Sequence, residues 1–269
     1  MNPKEARLRA IIRETGGLAV AYSGGVDSAL VLAVAAAELG DRALGILGVS
    51  PSLAAGEREH AMGTASEIGA RVEEVHPAEF SDPQYIANPP DRCYFCKRSL
   101  MKEVLALARL RGFALVADGF NADDWTDVRP GQRAAREAGV RSPLAEAGLG
   151  KEEVREIAHR LGLQVWNRPA TPCLASRIPY GTPVSEESLD RIGRAENLVR
   201  NLLPGVGQVR VRHFGERALL QVDPDRTSEL AGRKPDLESA LRTCGYTRVD
   251  IDPAGYVRGF LNESAGARP

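Results

Sequence analysis

The chain has no excess of charge of either sign: 35 basic and 36 acidic residues leave a net charge of −1. That balance gives no electrostatic drive toward nucleic acid or an anionic membrane surface. No run approaches the roughly 18 consecutive apolar residues of a membrane span. The N-terminus, Met1-Asn2-Pro3-Lys4-Glu5-Ala6, carries charges without the apolar core of an export signal. The expected location is the cytoplasm. There is no internal repeat and no low-complexity segment. The histidines at 60, 76, 159 and 213 have no metal-site spacing. Cysteine is scarce, with four in 269 residues, and in a cytoplasmic chain that points to metal binding or catalysis rather than disulfides. At 43% hydrophobic the sequence can fill the cores of one or two domains.

The most informative segment is Ser23-Gly24-Gly25-Val26-Asp27-Ser28. An apolar run, Leu18 to Tyr22, precedes it, and an Ala/Leu/Val-rich stretch from Ala29 to Leu39 follows. The pattern predicts strand, glycine turn, helix. Free backbone N–H groups at a helix N-terminus favour an anion. Ser23 is expected to cap the helix, and the glycines to let the backbone approach a ligand. Asp27 repels phosphate unless a cation stands between them, so magnesium is expected there. No lysine follows at Walker A spacing, and there is no G-x-G-x-x-G. The six residues resemble the SGGxDS loop of the ATP pyrophosphatase (PP-loop) superfamily. That resemblance implies cleavage of ATP between its α- and β-phosphates, with AMP passed to a carboxylate or carbonyl oxygen.

Strand-like and helix-like segments alternate through the first two thirds. Strands are expected at 43–49, 71–75 and 113–117, and helices at 57–68, 97–111 and 151–161. The 97–111 helix carries Leu100, Val104 and Leu107 on one face. Alternation of this kind predicts an α/β fold, a doubly wound parallel sheet with ligands at the carboxyl ends of its strands. Asp118 and Asn121 follow such an end and are expected to contact ATP or metal; a role in loop turning is the alternative. Prolines from 169 to 183 mark a hinge. Beyond it, a helix capped by Ser185, a hairpin around Gly215-Glu216, a helix at 235–242 and a strand at 248–251 predict a smaller α+β domain. The expected division is a nucleotide domain at 1–172 and a substrate-binding and oligomerisation domain at 173–269.

Cys93-Tyr94-Phe95-Cys96 is a C-x-x-C pair, whose two thiolates can share one metal or exchange redox state. Cys173 lies in Pro172-Cys173-Leu174-Ala175-Ser176-Arg177, where a neighbouring cation favours thiolate. Cys244 is expected to be a small buried hydrophobe.

Together these segments resemble the LarE family of sulfur transferases over nearly the whole length. The match runs through Ala21–Ser28, Asp91-Arg92-Cys93-Tyr94-Phe95-Cys96-Lys97 and Asp118-Gly119-Phe120-Asn121-Ala122-Asp123-Asp124. It continues through Arg129-Pro130-Gly131, Ser142-Pro143-Leu144 and Pro172 to Gly181. The resemblance implies that a carboxylate of pyridinium-3,5-biscarboxylic acid mononucleotide is adenylylated and an oxygen replaced by sulfur. The product leads to the nickel-pincer cofactor of lactate racemase. It also implies two sulfur sources. In one branch a single cysteine, here Cys173, gives up its sulfur and becomes dehydroalanine. In the other, three cysteines, here Cys93, Cys96 and Cys173, hold a [4Fe–4S] cluster that carries sulfide. Three cysteines place this chain in the cluster branch. ATP and magnesium fall to Ser23, Gly24, Gly25, Asp27 and Ser28.

Arg177, Arg210 and Arg212 are candidates for the substrate's phosphate and carboxylates. Arg210 and Arg212 alternate, so they share one strand face. The resemblance implies a homo-oligomer whose small domain closes a site between subunits. Rival readings are a PP-loop tRNA thiolase, an ammonia-using ligase of the GMP or NAD synthetase type, and a nucleotide-binding protein with a structural zinc site made of four cysteines. No RNA-binding module is recognisable.

Overall fold

The computed structural model describes residues 2–126, 130–257 and 259–261; Arg129 of the Arg129-Pro130-Gly131 match lies outside them. The chain divides into two compact units. One comprises Met1–Ser50, Gly56–Asp82 and Asp91–Thr171; the other Pro51–Ala55, Pro83–Pro90 and Pro172–Pro269. Residues 51–55 and 83–90 thus join the second unit although they lie far upstream of the proline cluster.

The first unit is built on an all-parallel sheet of β1 (Leu18–Tyr22), β2 (Ala43–Gly48), β3 (Val72–Val75) and β4 (Val116–Ala117), in the order β3-β2-β1-β4. Every residue of β1 is buried, as expected of a central parallel strand covered on both faces. The period of two divides its side chains between two cores. Leu18, Val20 and Tyr22 join Leu30, Leu32, Leu149 and Ile157 on one face. Ala19 and Ala21 join Ile46, Met101 and Val104 on the other. The fold is therefore α/β and doubly wound, of the PP-loop type.

The structure differs from the sequence expectation in several places: the strand expected at 113–117 is only Val116–Ala117, and three differences are helical. A helix, Pro3–Glu14, precedes β1; Asn2 accepts a hydrogen bond from the Lys4 N–H at 3.0 Å, and Pro3 opens the first turn. The helix expected from 97 begins earlier, at Arg92–Leu110, and so contains the cysteine pair. A further helix, Pro130–Glu137, packs against it.

The second unit packs the Glu186–Leu202 helix on a three-stranded sheet of β5 (Val209–Phe214), β6 (Arg217–Val222) and β7 (Arg248–Ile251). β5 and β6 are antiparallel, and β6 and β7 parallel. Ser185 caps the helix, accepting from the Ser188 N–H at 3.1 Å while Ser188 Oγ accepts from the Ser185 N–H. Cys244 is buried with Leu237, Leu241 and Val249 in this core. His213 is held there too, its Nδ1 3.0 Å from the Tyr246 hydroxyl, and burial pushes its basicity down.

Candidate functional site

The Ser23–Ser28 turn leads from the carboxyl end of β1 into the Val26–Leu39 helix. Ser23 does not cap that helix: Gly25 holds the N-cap position, and no side chain caps its N–H groups. Ser23 Oγ instead lies 3.1 Å from Ser28 Oγ, which donates to the Gly25 carbonyl at 3.1 Å. The turn is thus braced from within, while the first helical N–H groups keep no side-chain cap, an arrangement suited to an incoming phosphate. Gly24 has no substitute. Its φ is +76°, and a Cβ there would lie 2.7 Å from Ala61 Cβ. Tyr22 fixes the same approach, since its hydroxyl donates to the Ala61 carbonyl at 2.8 Å and burial pushes its pKa up to about 12.

Asp27 is held from two sides. Asn121 Nδ2 donates to one carboxylate oxygen at 3.1 Å, and Lys151 Nζ pairs with the other. Lys151 opens the Lys151–Arg160 helix, where its backbone N–H bonds Asp123 at 2.7 Å. Sequence reasoning missed Lys151. Its readable signal is a lysine in a helix's first turn, against the dipole preference. Asp118 is buried at the end of β4 and accepts from Phe120 N–H at 3.1 Å, Ser142 Oγ at 2.8 Å and Gln132 Nε2 at 3.5 Å. Asn121 accepts from the Asp123 N–H at 3.0 Å. The two residues expected at the ligand edge therefore have different partners: Asn121 touches Asp27, and Asp118 anchors the surrounding loops.

Gly119 closes the arrangement. A Cβ there would lie 2.6 Å from the backbone nitrogen of Ser28, so only glycine lets the end of β4 press on the Ser23–Ser28 turn. Gly119→Ala is expected to cost about 1–3 kcal/mol through overpacking and to reduce the rise in Tm that ATP produces. Thermal denaturation with and without ATP checks this. An unchanged ATP response would remove Gly119 from the site.

The cysteine pair sits at the start of the Arg92–Leu110 helix, with Cys93 exposed and Cys96 half-buried. Three residues apart, the two thiols share a helix face. Tyr94 between them donates its hydroxyl to Glu137 at 2.6 Å and stacks under the Arg133 guanidinium, 4.1 Å from the ring centroid.

In the second unit, half-buried Cys173 opens a short 3-10 turn, Leu174–Arg177. Arg177, expected among the substrate contacts, is fully buried. Its Nε and Nη2 donate to the two carboxylate oxygens of Glu196 at 2.8 and 3.0 Å. Its Nη1 donates to the carbonyls of Pro172 (2.7 Å) and Cys173 (3.0 Å) and to Ser176 Oγ (2.9 Å). Its donors are thus engaged by Glu196 and by the turn that carries Cys173.

Arg210 and Arg212 lie beside it. Arg212 donates to Gln221 at 2.8 Å and to the Ser176 carbonyl at 3.0 Å; Arg210 donates to the Val209 carbonyl and to Gln208. Burial, then repulsion from Arg177, lowers the pKa of both, that of Arg212 to about 10. Glu196 is the carboxylate that acts on all three guanidinium groups. Among the described residues, three buried guanidinium groups share the one carboxylate of Glu196, and dianionic phosphate would balance them.

Among the described residues no three His, Cys, Asp or Glu side chains are gathered as a metal site, and no helix is long and apolar enough to cross a membrane. No family model matches the chain. It is 43% identical over 264 residues to an uncharacterized protein of Synechocystis, covering 97% of this chain and 98% of that one. It is 34% identical over 262 residues to the pyridinium-3,5-bisthiocarboxylic acid mononucleotide synthase of Lactiplantibacillus plantarum, covering 97% of this chain and 94% of the synthase. More distantly, 205 residues are 28% identical to one chain of the glutamine-hydrolyzing GMP synthase of Pyrococcus horikoshii, covering 70% of this protein and 66% of that one. The phosphate turn, the cysteines and the end-to-end similarity to the pyridinium synthase agree: the chain belongs to the LarE family of sulfur-inserting synthases.

Proposed function

We propose that this protein is an ATP-dependent sulfur transferase. It converts a carboxylate of pyridinium-3,5-biscarboxylic acid mononucleotide to a thiocarboxylate, on the route to a nickel-pincer cofactor. The observation that carries this reading is the presence of an uncapped phosphate turn and three accessible or half-buried cysteines on one chain, similar over its length to a named synthase.

The phosphates of ATP lie on the N–H groups of the Ser23–Ser28 turn, with Lys151 as the nearby cation. Asp27 fits magnesium by its chemistry, offering hard oxygen donors that Lys151 and Asn121 now occupy. A magnesium ion held in part by Asp27 would supply charge neutralisation between the phosphates. The substrate carboxylate attacks the α-phosphorus, the bond to the bridging oxygen breaks, and pyrophosphate leaves. Carboxylate is a poor electrophile; the acyl-adenylate is a good one. A sulfur nucleophile then adds to the carbonyl carbon and AMP departs. Arg210 and Arg212 hold the substrate's phosphate, and Arg177 keeps the turn of Cys173 in shape.

Two thiols on one helix face and a third in a pre-shaped turn suit soft iron by donor chemistry. Cys93, Cys96 and Cys173 would hold a [4Fe–4S] cluster, which supplies transferable sulfide without consuming protein sulfur. The reading includes an external sulfide source, a homo-oligomeric assembly and a cytoplasmic location.

The test is anaerobic turnover with ATP, substrate and sulfide. Cys93→Ser and Cys96→Ser are each expected to keep substrate-dependent pyrophosphate release and to lose thiocarboxylate formation over repeated turnovers. If either variant still makes one thiocarboxylate per chain while Cys173 loses the mass of its sulfur, the sacrificial branch operates. Zinc without iron or acid-labile sulfide in the anaerobic protein would overturn the cluster.

A further inference from the structure

The nucleotide turn and the cysteine pair belong to the same unit, and one short helix touches the surroundings of both. Gly119 presses the end of β4 onto the Ser28 nitrogen, and Asp118 adjoins it. Gln132, in the first turn of Pro130–Glu137, donates to Asp118 Oδ2 at 3.5 Å. The next contacts belong to the cysteine turn. Gly131 lies so close that a Cβ there would be 3.3 Å from the Cys93 carbonyl oxygen. Arg133 covers the Tyr94 ring at 4.1 Å, and Glu137 accepts the Tyr94 hydroxyl at 2.6 Å. This eight-residue helix therefore touches both the cysteine turn, where Arg133 also lies 3.8 Å from the Asp91 carboxylate, and the nucleotide edge, where Arg136 also covers the Trp125 ring at 4.9 Å.

The contacts are unequal. The Tyr94–Glu137 bond is short, and Gly131 allows close backbone packing. The Gln132–Asp118 bond is the longest that Asp118 accepts. It weakens first if Asp118 is drawn toward a bound nucleotide, and tightens first if the loops close on one.

We propose that the Pro130–Glu137 helix couples the two halves of the reaction, with Gln132 as the positioning residue on the nucleotide side. ATP at Ser23–Ser28 shifts Asp118, Gln132 carries the shift into the helix, and Gly131 and Arg133 set the turn that bears Cys93 and Cys96. Coupling of this kind is reciprocal. Its advantage is order: the sulfur end is fixed when the activating end is loaded. The proposal rests on the ATP reading above.

The test is amide hydrogen exchange of the full chain as purified, with and without ATP and magnesium. In the wild type, ATP is expected to slow exchange at 23–28 and also, by about fivefold or more, at 91–97. Gln132→Ala and Arg133→Met should each keep the protection at 23–28 and lose it at 91–97. Exchange in the Val26–Leu39 helix without ATP, unchanged in both variants, shows that they fold. Protection at 91–97 that survives both substitutions overturns the coupling, as does protection confined to 23–28 in the wild type. Absence of protection at 23–28 overturns the ATP reading itself, which separates the two failures.

Discussion

Glu196→Gln is expected to lower the stability of the second unit by roughly 3–5 kcal/mol, the cost of leaving a buried charge without its partner. That corresponds to a fall in Tm on the order of 10 °C. Glu196 bonds both arms of the Arg177 guanidinium and accepts the Val211 N–H at 3.1 Å. Glutamine keeps the shape but not the charge, so Arg177, Arg210 and Arg212 would face one another with no carboxylate among them. A ligand that binds the folded protein stabilises it by mass action. Inorganic phosphate should therefore raise the Tm of the wild type, and raise that of Glu196→Gln by more. It should raise the Tm of an Arg210→Met/Arg212→Met double variant by less, since the Ser23–Ser28 turn remains. Thermal denaturation across a phosphate series reads all three. A phosphate response undiminished by loss of both arginines would show that the cluster is not an anion site.

Cys173→Ser is expected to reduce thiocarboxylate formation by roughly three orders of magnitude or more, as loss of a reacting nucleophile does. Pyrophosphate release should continue. On the proposed function, Cys173 belongs to the sulfur supply in both branches, while activation of the carboxylate depends on the Ser23–Ser28 turn. The separation follows from the fold: Ser23–Ser28 and Cys173 lie in units with distinct cores. The fold effect should be small, because Cys173 is half-buried and the turn is held by Arg177 through backbone carbonyls and Ser176. Quantifying pyrophosphate and thiocarboxylate in the same reaction gives the ratio. Equal loss of both products would place Cys173 in the activation step instead.

What could be read from the sequence was mostly local. The Ser23–Ser28 turn is six contiguous residues between two elements of plain pattern, and β1 is apolar throughout because both its faces are covered. Lys151 was not legible as a partner of Asp27, since 124 residues separate them. Arg177 was read as a ligand contact because it lies near a cysteine; its bonds to Glu196 and to the Cys173 turn were not legible there. A signal for them lay in the next helix. Glu196 falls on the same apolar stripe as Leu189, Ile192 and Val199, all buried, and a carboxylate on a buried stripe requires a buried cation. The early start of the Arg92–Leu110 helix was masked by Tyr94 and Phe95, whose helix propensity is modest. Packing decided it: Phe95 is buried, and Tyr94 is clamped by Glu137 and Arg133.

The second unit's dependence on residues 51–55 and 83–90 has a consequence for synthesis. Asn88, fully buried with φ of +53°, donates to the carbonyls of Pro179 and Thr182 and accepts the Gly181 N–H. Ser52 accepts the Leu174 N–H. Pro179 is 91 residues downstream of Asn88. At ribosomal rates of about 5–20 residues per second, these segments emerge on the order of 5 to 20 seconds before their partners. During that interval the first unit can close around its own sheet while two stretches of chain wait outside it. A fragment beginning at residue 172 would never receive them, so the second unit is not separable by a single cut, and its folding is scheduled by translation of the whole chain.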